Sequence, residues 1–277
     1  MKFRKYLQPM NFLAYKLLPP MTYVKLAEIF IPLFDKKRRN SGVKFSKKDD
    51  VFIVEMRGGE YVFNSQFKVG RFLFPEEEFG LLVLNRYSDE DIFVEDGDVV
   101  IDIGANIGEF SVASARVARK VLAIEPDRSA YRCVVENTEN LDNVVCRDVA
   151  VSECDGEFDF YMSPGTSDSS LLKPRVDSQL VTKVKGQTLL SIMRDHEISI
   201  VDFLKLEAEG YEPEILEGAG SALRSVRKIA IDASPERYGE PTYERCMEVL
   251  LAKGFSVWRK GWIVFGRNND VVPIENI

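Results

Sequence analysis

Three short stretches of the chain combine residue types able to do chemistry with a spacing that could use them. The first is Asp102-Ile103-Gly104-Ala105-Asn106-Ile107-Gly108, which directly follows the apolar run Val99-Val100-Ile101. A buried strand that runs into a glycine-bearing turn and then a helix lets a ligand reach backbone N–H groups at the strand's carboxyl end. The second is Ile124-Glu125-Pro126, which closes the next apolar strand with an acid. A carboxylate at that place, about 20 residues after the glycine turn, can accept two hydrogen bonds from ribose hydroxyls. The third is Lys205-Leu206-Glu207-Ala208-Glu209-Gly210, at the end of the strand predicted over residues 198–206. It offers two carboxylates for proton transfer or for orienting an acceptor, beside one ammonium group.

The glycine spacing separates two nucleoside cofactors. A dinucleotide site needs G-x-G-x-x-G, whose second glycine lets the backbone touch a pyrophosphate. Here that position is Asn106, and the pattern is Gly104-x-Asn106-x-Gly108. A side chain there crowds a pyrophosphate, and Asp102 adds negative charge near it. S-adenosylmethionine has no phosphate and carries a sulfonium cation and an ammonium group, which suit an acidic turn. The plainer reading is a tight strand-to-helix turn with no cofactor at all. A nicotinamide-dependent oxidoreductase stands as the competing enzyme class.

Alternating elements must hold these groups in place. Val99–Ile101, Val121–Ile124 and Val144–Val151 read as buried strands, with helices predicted over 107–119 and 127–141. Residues 198–206 and Lys228–Asp232 are predicted as the fourth and fifth strands, with helices at 213–223 and 241–253. Phe255–Trp258 and Trp262–Phe265 read as a closing antiparallel pair. Continuous apolar strands alternating with helices imply a parallel sheet covered on both faces. Before them, residues 51–65 read as a hairpin turning at Arg57-Gly58-Gly59, and Glu76-Glu77-Glu78 opens a helix reaching about Arg86. Between them, Phe158–Tyr161 alternates as a strand should, and residues 163–170 have loop chemistry that could serve an acceptor through Ser167, Asp168, Ser169 and Ser170. The expected divisions are residues 1–48, 49–75 and 76–277.

Charge is unevenly placed in the 277 residues. Residues 1–48 hold 12 Lys/Arg and 2 Asp/Glu, whereas the other 229 hold 25 and 42. An acidic body disfavours a nucleic-acid partner. The arm is rich in Phe, Leu and Ile between Met10 and Phe34, but Lys16, Pro19, Pro20, Lys25, Glu28 and Pro32 interrupt it, so a spanning helix is not expected. It reads as a helical extension packed on the body, or as an interfacial segment over residues 10–39 in peripheral contact with a membrane. Four isolated cysteines without a CxxC pair are expected as buried, reduced thiols, favouring a cytoplasmic setting. No metal-ligand spacing accompanies the single histidine, His196, which is expected to be solvated in a polar helix.

Taken together, Asp102-Ile103-Gly104-Ala105-Asn106-Ile107-Gly108, Ile124-Glu125-Pro126, Asn143-Val144, Ala150-Val151-Ser152, Asp155-Gly156 and Val201–Gly210 closely resemble the FkbM-like family of S-adenosylmethionine-dependent methyltransferases. The resemblance covers about residues 76–266. It implies a class I, Rossmann-like methyltransferase fold: a mostly parallel seven-stranded sheet ending in an antiparallel hairpin. It also implies S-adenosyl-L-methionine as cofactor, and methyl transfer to a hydroxyl of a sugar, glycan, glycolipid or other small acceptor. By resemblance, Gly104, Ala105, Asn106 and Gly108 line the methionine half of the cofactor beside Asp102, Glu125 holds the ribose, and Asp148 with Val149 flanks the adenine. Where the family has Asp in K-I-D-x-E-G, this chain has Glu207, one methylene longer. Lys205, Glu207 and Glu209 are the catalytic candidates; a structural ion-pair network, or a binding module without turnover, is the alternative.

Overall fold

The computed structural model describes residues 44–56, 59–65, 76–163, 168–175 and 180–276, with Met21, Thr22 and Lys25. Nearly all of the basic arm, the turn residues Arg57 and Gly58, and Ser167 lie outside the described residues. The chain divides into two compact units, Met1–Phe79 and Gly80–Ile277. In the first, β1 (Lys44–Lys48), β2 (Val51–Met56) and β3 (Gly59–Phe63) form an antiparallel sheet in the order β1-β2-β3. The expected hairpin is β2 and β3, with Phe52 opposite Phe63 and their rings stacked at 5.3 Å. The additional strand β1 reads KFSKK, an edge whose lysines discourage further pairing.

The helix α1 (Glu76–Arg86) leads into the second unit. There β4 (Val99–Ile103), α2 (Glu109–Ala115), β5 (Lys120–Ile124), α3 (Arg128–Thr138) and β6 (Val144–Arg147) follow in turn. Then come β7 (Ala150–Val151), β8 (Gly156–Met162), β9 (Leu180–Gln187), α4 (Leu189–Asp195) and β10 (Val201–Leu206). The chain closes with α5 (Glu212–Ala219), β11 (Val226–Asp232), α6 (Tyr243–Ala252), β12 (Ser256–Lys260) and β13 (Ile263–Arg267).

The main sheet has seven strands in the order β12-β13-β11-β10-β4-β5-β6. β6, β5, β4, β10 and β11 are parallel neighbours, and β13 pairs antiparallel with both β11 and β12. This is the class I methyltransferase arrangement that the resemblance implies. Strand alternation sorts the core into two layers. Val99, Ile101 and Ile103 pack with Leu189, Ile215, Leu216 and Leu250. Val100, Phe203 and Ala230 pack with Tyr87 and Phe110 on the other side. Asp102 and Lys205 lie two residues after Val100 and Phe203, so they continue this second face where the apolar layer ends.

Several local expectations need correction. Residues 144–151 are two strands in two sheets: β6 ends at Arg147, and β7 joins a separate sheet in the order β7-β9-β8. The predicted helix 107–119 is shorter, because Gly108 has φ +88° and holds the turn open to Glu109. Helix 213–223 is α5 followed by a 3-10 turn over Gly220–Ser225. Cys154 is exposed and Cys146 half-buried, so only Cys133 and Cys246 fit the expected buried thiols. His196 caps the end of α4, where burial and the nearby cations Arg147 and Lys120 lower its pKa.

Candidate active site

Backbone geometry brings the first and third motifs together. Asp102 and Lys205 are register partners on β4 and β10, and the Glu207 N–H donates to the Ile103 carbonyl at 3.1 Å. Gly104 has φ +76°, and a Cβ there would lie 1.9 Å from the Glu207 carbonyl oxygen. This glycine therefore gives room to the end of β10. Gly108 similarly makes room for Val134 of α3, since a Cβ would lie 2.6 Å from its Cγ2. Asn106 adopts the left-handed region with φ +54°.

At the end of β5, Glu125 is buried and rigidly oriented. Its Oε2 accepts from the Asn106 N–H at 2.7 Å and its Oε1 from the Asp127 N–H at 2.8 Å. A carboxylate oxygen can accept more than one hydrogen bond. Asp127 caps α3 through the N–H groups of Ser129 and Ala130, and also accepts from the Ser169 hydroxyl at 3.3 Å. Ser170 donates to the Ala208 carbonyl at 3.1 Å, so the loop after β8 touches both the β5 and β10 ends. Asp148 is exposed just beyond Arg147, whose carbonyl receives the Glu125 N–H, and Val149 is buried in the core.

The third motif is an ionic centre. The Lys205 side chain is 3% exposed, and its Nζ lies 3.1 Å from Asp102 Oδ1 and 3.2 Å from Glu207 Oε2 and donates to the Gly104 carbonyl at 2.7 Å. Burial would lower the Lys205 pKa, but Asp102 and Glu207 outweigh it and hold the ammonium above its ordinary value. Asp102 Oδ2 accepts from the Ser111 hydroxyl at 2.6 Å. Glu207 also accepts from the Tyr87 hydroxyl at 2.8 Å and from Arg86 at 3.3 Å, and Arg86 pairs in turn with Asp232.

Glu209 has φ +53° and lies among acids. Burial, then the charges of Glu236, Glu207, Asp168 and Glu212, push its pKa up to about 10. Glu236 is pushed to about 8 by burial and by Glu212, Asp232 and Glu207, against the opposing bond from Ser234. Glu212 is wholly buried, accepting from the Ala208 and Gly210 N–H groups and the Thr242 hydroxyl, which shapes the turn that carries Glu209. Sequence reasoning missed Arg86, Tyr87, Asp232 and Glu236. Asp232 ends a predicted strand and could have been read as a site residue from that position alone; Arg86 and Tyr87 carry no such signal.

An acidic glycine turn, a buried carboxylate at the end of the next strand and acids at the end of β10, on this sheet order, are the features of a methyltransferase domain. Residues 102–257 match the Methyltransferase FkbM domain, and the chain belongs to that family, whose cofactor is S-adenosylmethionine. Hexuronic acid methyltransferase AglP of Haloferax volcanii is 26% identical over 139 residues, 50% of this chain and 56% of that protein. The chain thus matches little over half the length of this curated relative. Among solved structures, the Methyltransferase FkbM from Methylobacillus flagellatus KT superposes with a TM-score of 0.45 at 16% identity, over 73% of this chain and 54% of that one. The precorrin-6y C5,15-methyltransferase from Geobacter metallireducens GS-15 gives 0.40 at 13% identity, over 69% and 89%. Among the described residues, no helix is long and apolar enough to cross a membrane.

Proposed function

We propose that the chain is an O-methyltransferase acting on a hydroxyl of a sugar, glycan, glycolipid or other small acceptor. The observation that carries this reading is the seating of the β10 acids against the cofactor turn, with the Glu207 N–H on the Ile103 carbonyl and Glu209 two residues further. The hexuronic acid methyltransferase relative supports a sugar as acceptor.

S-adenosylmethionine, when bound, supplies an electrophilic methyl group and a positive charge. Glu125 accepts from the ribose hydroxyls; Gly104, Ala105, Asn106 and Gly108 line the methionine half with Asp102, and Asp148 and Val149 border the adenine. Glu207 has its oxygens engaged by Lys205, Tyr87 and Arg86, so its part is to orient the acceptor hydroxyl. Glu209 is the base that receives the hydroxyl proton. Burial and its acidic neighbours favour its neutral form, and a neighbouring positive charge favours the carboxylate that can take a proton. Lys205 pairs with both Asp102 and Glu207 at the floor of the site.

The test is transfer of a labelled methyl group from S-adenosylmethionine to a panel of hexuronic acids, neutral hexosides and glycolipid extracts, with the product bond identified by mass spectrometry. An O-methyl ether supports the reading. An N- or C-methyl product overturns it, and S-adenosylhomocysteine binding without any transfer favours a binding module. For the arm over residues 10–39, co-sedimentation of the full chain and of residues 41–277 with anionic vesicles tests membrane contact; equal binding removes it.

A further inference from the structure

We propose that Arg86 and Tyr87 are positioning residues that fix the Glu207 carboxylate toward the acceptor; this rests on the role given to Glu207 above. Both precede the family match, which begins at residue 102. The Glu207 side chain is gripped at both oxygens. Oε2 receives the Tyr87 hydroxyl at 2.8 Å and lies 3.2 Å from Lys205 Nζ, while Oε1 receives Arg86 at 3.3 Å.

The clamp is itself anchored. Tyr87 is 3% exposed, and its ring meets Phe110 edge-on at 5.4 Å, with the Lys205 ammonium 5.5 Å from the ring centre. Phe110 rests in turn on Phe203 of β10 at 5.8 Å. Burial and the Glu207 charge raise the Tyr87 pKa well above its ordinary value, so the phenol remains a donor at any working pH. Arg86 joins Glu207 to Asp232, and so ties the end of β10 to the end of β11. A glutamate otherwise free to sample several rotamers is held in one, so its orientation is set before the acceptor arrives.

Tyr87→Phe keeps the ring and removes only the hydroxyl. A hydrogen bond to a charged group corresponds to about 10-fold or more in rate. We expect kcat to fall about 10-fold, with S-adenosylhomocysteine affinity measured by calorimetry and the KM for S-adenosylmethionine both changed less than about twofold. Because Tyr87 acts through Glu207, Tyr87→Phe/Glu207→Gln should be no slower than Glu207→Gln alone. An unchanged kcat in Tyr87→Phe, or independent additive losses in the double variant, overturns the inference.

A second measurement needs no acceptor. In protein labelled with 13C at the tyrosine ζ carbons, the Tyr87 resonance, assigned by its loss in Tyr87→Phe, should move in Glu207→Gln and stay in place in Glu209→Gln. No movement in Glu207→Gln overturns the clamp. Absence of methyl transfer by the unmodified chain to any hydroxyl acceptor overturns the proposed function, and this spectrum then judges the clamp separately.

Discussion

Gly104→Ala tests whether the first and third motifs meet as described. The new Cβ would stand 1.9 Å from the Glu207 carbonyl oxygen, on a residue at φ +76°. The left-handed conformation costs an L-residue about 1–2 kcal/mol. Relieving the clash requires the end of β10 to retreat by about 1 Å, and such overpacking costs about 1–3 kcal/mol. The sum is about 2–5 kcal/mol, and at about 2–4 °C per kcal/mol for a domain of this size the melting temperature should fall by roughly 4–20 °C. A displacement of about 1 Å in a catalytic side chain costs on the order of 100-fold in rate. Gly97→Ala is the internal control: its φ is +82°, but nothing lies within 4 Å of the new Cβ, so it meets the conformational cost alone. The assay is thermal unfolding followed by differential scanning fluorimetry, with methyl transfer measured on the same samples. If Gly104→Ala melts within about 2 °C of Gly97→Ala, less than 1 kcal/mol separates them and the close approach of the two motifs is refuted.

Lys205→Met should destabilise the fold by about 3–5 kcal/mol, because it leaves Asp102 buried without its cation, and adding Asp102→Asn should recover part of that loss in denaturant unfolding. Glu209→Gln should lower methyl transfer about 100-fold while raising stability. The sign follows from the raised pKa: the native carboxyl holds its proton while the unfolded one releases it above about 4.5, so wild-type stability falls as pH rises from there toward about 10. The amide has no such loss, and its advantage in melting temperature should be greater at pH 8 than at pH 5; equal advantages would contradict the assigned burial. Glu125→Ala should weaken S-adenosylhomocysteine binding about 10-fold or more by calorimetry, having lost the acceptor proposed for the ribose and the bonds that fix Asn106 and Asp127.

The parts of the fold legible in the sequence are those where burial on both faces leaves one reading. Val99–Ile103 and Lys120–Ile124 are apolar without a break, except for Asp102 and the first lysine, and their alternation with helices defined the sheet. The small sheet escaped notice for the opposite reason. β9, LVTKVKGQ, is exposed over much of its length and gains its place from pairing with β8, where Gly186 leaves space for Phe158. A local reading also could not see that Asp148 and Val149 carry the chain from one sheet to another. Within the site, the acids stood out because charge at the end of a buried strand is conspicuous. Arg86 and Tyr87 did not, since their partner Glu207 lies some 120 residues away and no local pattern marks a long-range hydrogen bond.

On the proposed clamp, the working unit extends beyond the matched family segment. A fragment trimmed to residues 102–257 would retain the glycine turn, Glu125, Lys205, Glu207 and Glu209, yet lose Arg86 and Tyr87. It would also lose strand β13, which covers the flank of β11 where Asp232 stands. Grafting that segment into another scaffold would transfer the glycine turn and the β10 acids without the grip on Glu207. On the proposed clamp, the end of α1 is a handle for engineering acceptor preference that leaves every motif residue untouched.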